Sequence, residues 1–137
     1  MLLNQIQKLE KLVNSELANV VQKSIIDFDE LMIEINPENL LDVISFLKSN
    51  DSCRFRQLID IAGVDYPSED KRFKLVYLFL SHEFNLRIKL SLKFEIHQKI
   101  NSIVKIFPSA NWMEREVFDM YGIEFKNHPD LRRILTD

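Results

Sequence analysis

Between residues 86 and 96, apolar and polar side chains alternate without a break. Leu86, Ile88, Leu90, Leu92, Phe94 and Ile96 are set against Arg87, Lys89, Ser91, Lys93 and Glu95. A period of two is the pattern of a strand with one face buried and one face wet, because successive side chains point to opposite sides of a sheet. Such a strand needs partners to pair with and a layer to cover its apolar side. Residues 72–80 form a continuous apolar and aromatic run, which predicts a central strand, and residues 81–85 join the two as a hairpin. Val- and Ile-rich stretches at 19–27 and 31–35 predict two further strands, with a turn marked by Asp27, Asp29 and Glu30.

The covering layer is predicted to be helical. Over residues 2–13, Leu2, Ile6, Leu9 and Val13 share one helical face, with Lys8, Glu10 and Lys11 elsewhere. The mixed sign of that polar side argues against a helix lying on a membrane. Asn36-Pro37-Glu38 predicts a helix start, with an Asn cap, Pro at the first position and an acid in the first turn. Leu40, Leu41, Ile44 and Leu47 then continue it as a stripe over 37–48. Residues 54–62 fit a strand or a helix. Residues 63–68, from Gly63 to Ser68, predict a bend into an exposed loop. Residues 101–107 predict a short helix broken by Pro108-Ser109. The expected architecture is an α+β fold, a single domain over 1–137, with a mainly antiparallel sheet and helices packed on one face.

Composition narrows the function. The net charge of -3 gives no basic field for nucleic acid. No stretch approaches the ~20 apolar residues of a membrane span, and the N-terminus lacks the basic and apolar regions of a secretory signal. Direct membrane insertion is therefore not expected. With only Gly63 and Gly122, phosphate-cradling glycine loops are excluded. Cys53 is the only cysteine, too few for an internal disulfide, an iron–sulfur cluster or a structural zinc site.

The densest cluster of charge and aromatics lies near the end of the sequence. A helix is predicted from about Asn111, with Asn111 and Glu114 as a reciprocal cap. Met113, Val117 and Met120 or Tyr121 form its buried stripe. Gly122 is expected as a left-handed cap, with Ile123 packing back. Glu114 and Glu116 lie about 200° apart on a helix, so they do not form a carboxylate pair. Arg115 and Asp119, four apart, face each other as an ordinary surface pair of about 0.3–0.5 kcal/mol. Trp112, Phe118, Tyr121 and Phe125 crowd among these charges. None of His82, His97 and His128 has a second His or Cys at metal-ligand spacing. His128 with Glu116 and Asp119 ranks below a structural histidine in a His-Pro turn. Arg132-Arg133 reads either as a solvated pair, as a phosphate site or, preferably, as interface anchors.

Trp112-Met113-Glu114-Arg115-Glu116-Val117-Phe118-Asp119-Met120-Tyr121-Gly122-Ile123, followed by His128-Pro129-Asp130-Leu131-Arg132-Arg133-Ile134-Leu135-Thr136-Asp137, closely resembles the signature of a family of respiratory complex I. This is the thirty-kilodalton, or C, subunit of NADH–quinone oxidoreductase. Gln57-Leu58-Ile59-Asp60, Gly63-Val64-Asp65-Tyr66-Pro67 and Arg72-Phe73-Lys74-Leu75-Val76-Tyr77 agree with the family's central region. The resemblance runs from about residue 54 to the end and is weaker before that.

The resemblance implies a non-catalytic structural and assembly subunit of the hydrophilic arm. It implies that neighbouring subunits at the quinone-reducing end carry the terminal iron–sulfur cluster, that FMN and the iron–sulfur clusters are held by partner subunits of the complex, and that this chain binds no cofactor. Carried over by position, Trp112, Glu114, Arg115, Glu116, Asp119, Tyr121 and Gly122 match the signature helix. His128, Pro129, Asp130, Arg132 and Arg133 match the loop after it. These are the expected partner-binding residues, with no catalytic and no metal residue among them. The expected location is peripheral, on the cytoplasmic face of a bacterial inner membrane or the matrix face in a mitochondrion. Family chains usually continue past Leu135-Thr136-Asp137 into a Gly- and Pro-containing tail along a neighbouring subunit. Here the sequence stops at Asp137, so part of that docking surface is expected to be missing. Self-association of the isolated chain is then a reasonable expectation. The alternatives are an equivalent subunit of a membrane-bound hydrogenase or plastid-type quinone oxidoreductase and, more distantly, a metal-dependent hydrolase using His128, Glu116 and Asp119.

Overall fold

A computed structural model describes residues 2–129. Its helices are α1 (Leu2–Glu16), α2 (Leu40–Ser49) and α3 (Ala110–Tyr121). Its strands are β1 (Val21–Asp27), β2 (Glu30–Ile35), β3 (Gln57–Asp65), β4 (Phe73–Ser81), β5 (Leu86–Phe94) and the short β6 (Ile100–Asn101) and β7 (Phe125–Lys126). The first five strands form one sheet in the order β1-β2-β5-β4-β3, while β6 and β7 pair separately. Within the large sheet, β1–β2, β3–β4 and β4–β5 are antiparallel and β2–β5 is parallel. The parallel pair arises because the chain leaves β2, forms α2 and the β3–β4 hairpin, and only then returns as β5. The α+β expectation, with a mainly antiparallel sheet, describes this fold.

Cross-strand register builds the core. Leu31 lies opposite Ile88 and Ile33 opposite Leu90, while Leu90 and Leu92 face Tyr77 and Leu75 on the other side. One sheet face is therefore largely apolar across β2, β5 and β4. Ile6, Leu9 and Val13 of α1, Leu40, Val43, Ile44 and Leu47 of α2, and Val117 of α3 close over it in a single core. Each fully buried aliphatic side chain contributes about 1.5–3 kcal/mol. The β1–β2 hairpin turns on Phe28 and Asp29, both at positive φ (49° and 60°), the geometry whose twist matches that of the flanking strands.

Several elements differ from the sequence reading. The strand with period two, β5, takes the centre, and β4 lies one place outward. The alternation ends at Phe94, and Ile96 is exposed. Asn36 does not cap a helix with its side chain: Pro37–Asn39 is a 3-10 turn, and the Asn36 amide oxygen accepts from Gln22 instead. Residues 54–62 contain the start of a strand, and Gly63, Val64 and Asp65 continue β3 rather than bending away. No helix spans 101–107, where the backbone groups have other partners. Ser102 N–H donates to Lys126 C=O, Ile103 N–H to Glu114, and Lys48 Nζ to Ile106 C=O, leaving one turn closed by Phe107 N–H on Ile103 C=O.

Candidate functional site

The α3 helix lies across the edge strand β3 and presents two unlike sides. It begins at Ala110 after Ser109, whose side chain makes no capping bond. The expected Asn111–Glu114 box therefore does not form. Ala110, Glu114, Val117 and Tyr121 follow the i, i+4, i+7, i+11 spacing of one helix face, and that face turns inward.

Glu114 is fully buried. Its Oε1 accepts the Ser102 hydroxyl at 2.6 Å and its Oε2 the Ile103 N–H at 2.8 Å. Burial pushes its pKa up to about 7, against the pull of those two hydrogen bonds. His128, also fully buried, donates its Nε2–H to Asn111 C=O at 2.9 Å and lies 3.9 Å from Glu114 Oε1. A carbonyl only accepts, so that nitrogen carries a proton. The buried Tyr77 hydroxyl has no hydrogen-bond partner among the described residues, and burial, then the nearby Glu114 charge, raises its pKa.

The C-terminal end of α3 is fixed by close packing. Tyr121 Oη donates to Gly63 C=O at 3.0 Å, and its ring meets Phe73 edge-on at 6.3 Å. A Cβ on Gly63 would lie 2.6 Å from Tyr121 Cε2. Gly63 is thus a notch for that ring, not a bend. Gly122 takes the left-handed conformation (φ 72°) with its N–H on Phe118 C=O at 2.8 Å, and Ile123 is buried, as the sequence implies. β7 then anchors the following segment, with Ile100 N–H on Glu124 C=O at 3.0 Å.

The outward side of α3 carries Trp112 (67% exposed) and Met120 (74% exposed). Glu116 and Asp119 are exposed beside them and Arg115 is half-buried. Met120 is therefore not part of the buried stripe. The Arg115–Asp119 pair is absent from the ion pairs of the described residues. The twelve expected docking residues thus divide. Trp112, Arg115, Glu116, Asp119, Gly122 and Pro129 reach the surface, while Glu114 and His128 are internal and Tyr121 is largely tucked under. Asp130, Arg132 and Arg133 lie outside the described residues. Among the described residues no group of His, Cys, Asp and Glu is arranged to hold a metal ion. His128 points inward while Glu116 and Asp119 face out.

Sequence reasoning missed Ser102, Tyr77 and the notch role of Gly63. The signal for Glu114 was present: helical spacing from Ala110 and Val117 puts it on the apolar side. Its partner Ser102 had no such signal.

The family model for "Respiratory-chain NADH dehydrogenase, 30 Kd subunit" matches residues 33–137. Among curated relatives, the NADH-quinone oxidoreductase C subunit of Chelativorans sp. (strain BNC1) is 45% identical over 125 residues, covering 91% of this chain and 62% of the relative. The corresponding C subunit of Ruegeria pomeroyi is 54% identical over 112 residues, covering 82% and 56%. The chain thus spans about three-fifths of the length of these relatives. A solved structure, the trypsin-resistant fragment (1-134) of Nqo5, shares the fold with a TM-score of 0.74 and 23% identity, over 88% of this chain and 97% of the fragment.

Proposed function

Because the chain belongs to the respiratory-chain NADH dehydrogenase 30 kDa subunit family, we propose that it is a structural subunit of the hydrophilic arm of an NADH–quinone oxidoreductase. In this reading it performs no redox step. It docks on cofactor-bearing neighbours at the quinone-reducing end, peripheral to a bacterial inner membrane on its cytoplasmic face or to a mitochondrial one on its matrix face. The terminal iron–sulfur cluster belongs to those neighbours, and the flavin and other clusters to further subunits of the complex. Cluster ligation needs several thiolates, and Cys53 stands alone, buried, with its thiol pushed up to about 11 by burial.

The observation that carries the docking role is the outward side of α3. Two large apolar side chains, Trp112 and Met120, stand in water beside Glu116 and Asp119, although the fold gives the helix's other side a complete set of partners. Exposed aromatic and methionine anchors with a charged rim are the composition of an interface centre. The buried Glu114 and the half-buried Tyr121 support the reading indirectly, since they tie the helix to the rest of the fold.

Co-expression of the full chain with the adjacent subunits tests it. Trp112→Ala combined with Met120→Glu should reduce co-purification by about tenfold or more, with the circular dichroism and Tm of the isolated chain nearly unchanged. Undiminished co-purification of this double variant would remove α3 from the interface.

A further inference from the structure

The large sheet has a second face that no helix covers among the described residues. On β5 its outward residues are Arg87, Lys89, Ser91 and Lys93; on the adjacent β4 they are Lys74, Val76, Leu78 and Leu80. A sheet face meant for water carries polar residues at every outward position. β5 obeys this rule. β4 breaks it, with three successive apolar outward positions, and its continuous apolar run is the pattern of a strand buried on both sides.

The charges add a second anomaly. Lys74 lies directly opposite Lys93, and like charges at that position are destabilising. Lys93 has a long 3.9 Å contact with Glu69 and Lys89 a 3.4 Å contact with Glu30. Lys74 and Arg87 have no ion pair among those of the described residues. A chain of net charge -3 has thus gathered four cations on two neighbouring strands beside an apolar row.

We propose that this face is a second docking surface, covered in the assembled complex by an amphipathic helix of a partner subunit whose apolar stripe lies on Val76, Leu78 and Leu80 and whose acidic flank meets Lys74, Arg87 and Lys89. The residue span from 74 to 80 gives a row about 20 Å long, which a helix of roughly 13 residues matches. The inner face of the same sheet is already covered by helices, and a second helical layer completes a three-layer arrangement. A second copy of this chain is the wrong occupant, because it would bring the same cations against these. The surface is separate from α3 and stands or falls independently of it.

The test uses the assembled, purified complex containing the full chain. Benzoylphenylalanine placed at position 78 and photoactivated should cross-link to one partner subunit, in a helical segment rich in Glu or Asp and aliphatic residues. In parallel, Lys74→Glu should raise the Tm of the isolated chain by about 1–3 °C by pairing with Lys93. The pair of changes Lys74→Glu and Arg87→Glu should lower complex yield by about tenfold. That combination, a sturdier subunit that assembles worse, is not produced by a purely structural role. Cross-links to a second copy, to lipid or to nucleic acid, or no cross-link with full assembly of the double variant, would overturn the proposal. The α3 variants read the other interface: their loss of co-purification alongside full assembly of Lys74→Glu/Arg87→Glu would sink this surface alone.

Discussion

The α1 and α3 helices cover opposite ends of the same sheet face, and they are attached by different physics. α1 lies over β1 and β2 through Ile6, Leu9 and Val13, all buried. Its polar contacts to the sheet are two hydrogen bonds with the Ser24 hydroxyl at 3.2 Å, from Asn14 and to Glu10, at the exposed or half-buried margin. α3 is pinned over β3 by directional bonds, a buried one from Ile103 to Glu114 and half-buried ones from Ser102 to Glu114 and from Tyr121 to Gly63. Burial of apolar area is non-directional, so a helix held that way can slide by small amounts at little cost. A helix held by a buried carboxylate and a ring in a notch has one position. The difference suits the proposed docking role, because the helix that must present Trp112 and Met120 in register is the one with polar pegs.

The largest effects break each attachment. Ile6→Ala should cost about 2–4 kcal/mol through a cavity in the core, measured by urea denaturation. Glu114→Ala should cost a similar amount, roughly 2–4 kcal/mol, because Ser102 O–H and Ile103 N–H lose their acceptors inside the protein. Location separates the two. In native-state hydrogen exchange, Ile6→Ala should expose amides of α1 and β1, whereas Glu114→Ala should expose the N-terminal half of α3 and residues 100–103. Identical exchange maps for the two variants would erase the contrast.

What was legible in the sequence follows the same division. Non-directional attachment leaves a periodic record: the stripe Ile6, Leu9, Val13 and the alternation of β5 are visible as spacing, and both elements form there, β5 stopping at Phe94, short of Ile96. Directional attachment leaves a single residue on each side. Glu114 reads as a capping acid because it stands three residues after Asn111, although its spacing from Ala110 and Val117 places it on the apolar side, and Ser102 lies in a segment with no period at all. Gly63 invites a turn reading because glycine usually frees the backbone. In this structure its role is to lack a Cβ where the Tyr121 ring approaches. The helix expected at 101–107 fails for a related reason, since local propensity cannot register that Glu114, Lys48 and β7 compete for its backbone groups.

A smaller, pH-linked effect sharpens the comparison. Folded Glu114 keeps its proton up to about pH 7, whereas the ordinary carboxyl value is 4.5. Between those values the folded chain binds a proton that the unfolded chain has released. Its contribution to stability is therefore fully present below the unfolded value, falls as pH rises from about 4.5 to 7, and is level above. The change is on the order of 1–3 kcal/mol. The groups that face this carboxyl are Ser102 O–H, Ile103 N–H, His128 and Tyr77. Glu114→Gln removes the titration while keeping one acceptor oxygen, so its stability should be flatter across this range than that of the parent chain. Ile6→Ala should be displaced by a constant amount at every pH. Parallel profiles for Glu114→Gln and the parent would mean that the carboxyl is not the titrating group.

The smallest expected effect tests whether the α3 notch positions the helix or merely fills space. Tyr121→Phe deletes one hydroxyl and keeps the ring against Gly63 and Phe73. The Gly63 carbonyl loses a donor, at a cost of about 1 kcal/mol. Gly63→Ala keeps the hydroxyl and pushes on the ring instead, through a Cβ with only 2.6 Å of room, and overpacking of this kind costs about 1–3 kcal/mol. If ring and notch act as one device, the losses will not add, because a ring displaced by the added methyl group has already lost its bond to the carbonyl. The double variant should then be little worse than Gly63→Ala alone, and the stability of Trp112-bearing assemblies should fall with it. Strict additivity would show two independent contacts, leaving Glu114 and the His128–Asn111 bond as the directional pegs on α3 among the described residues.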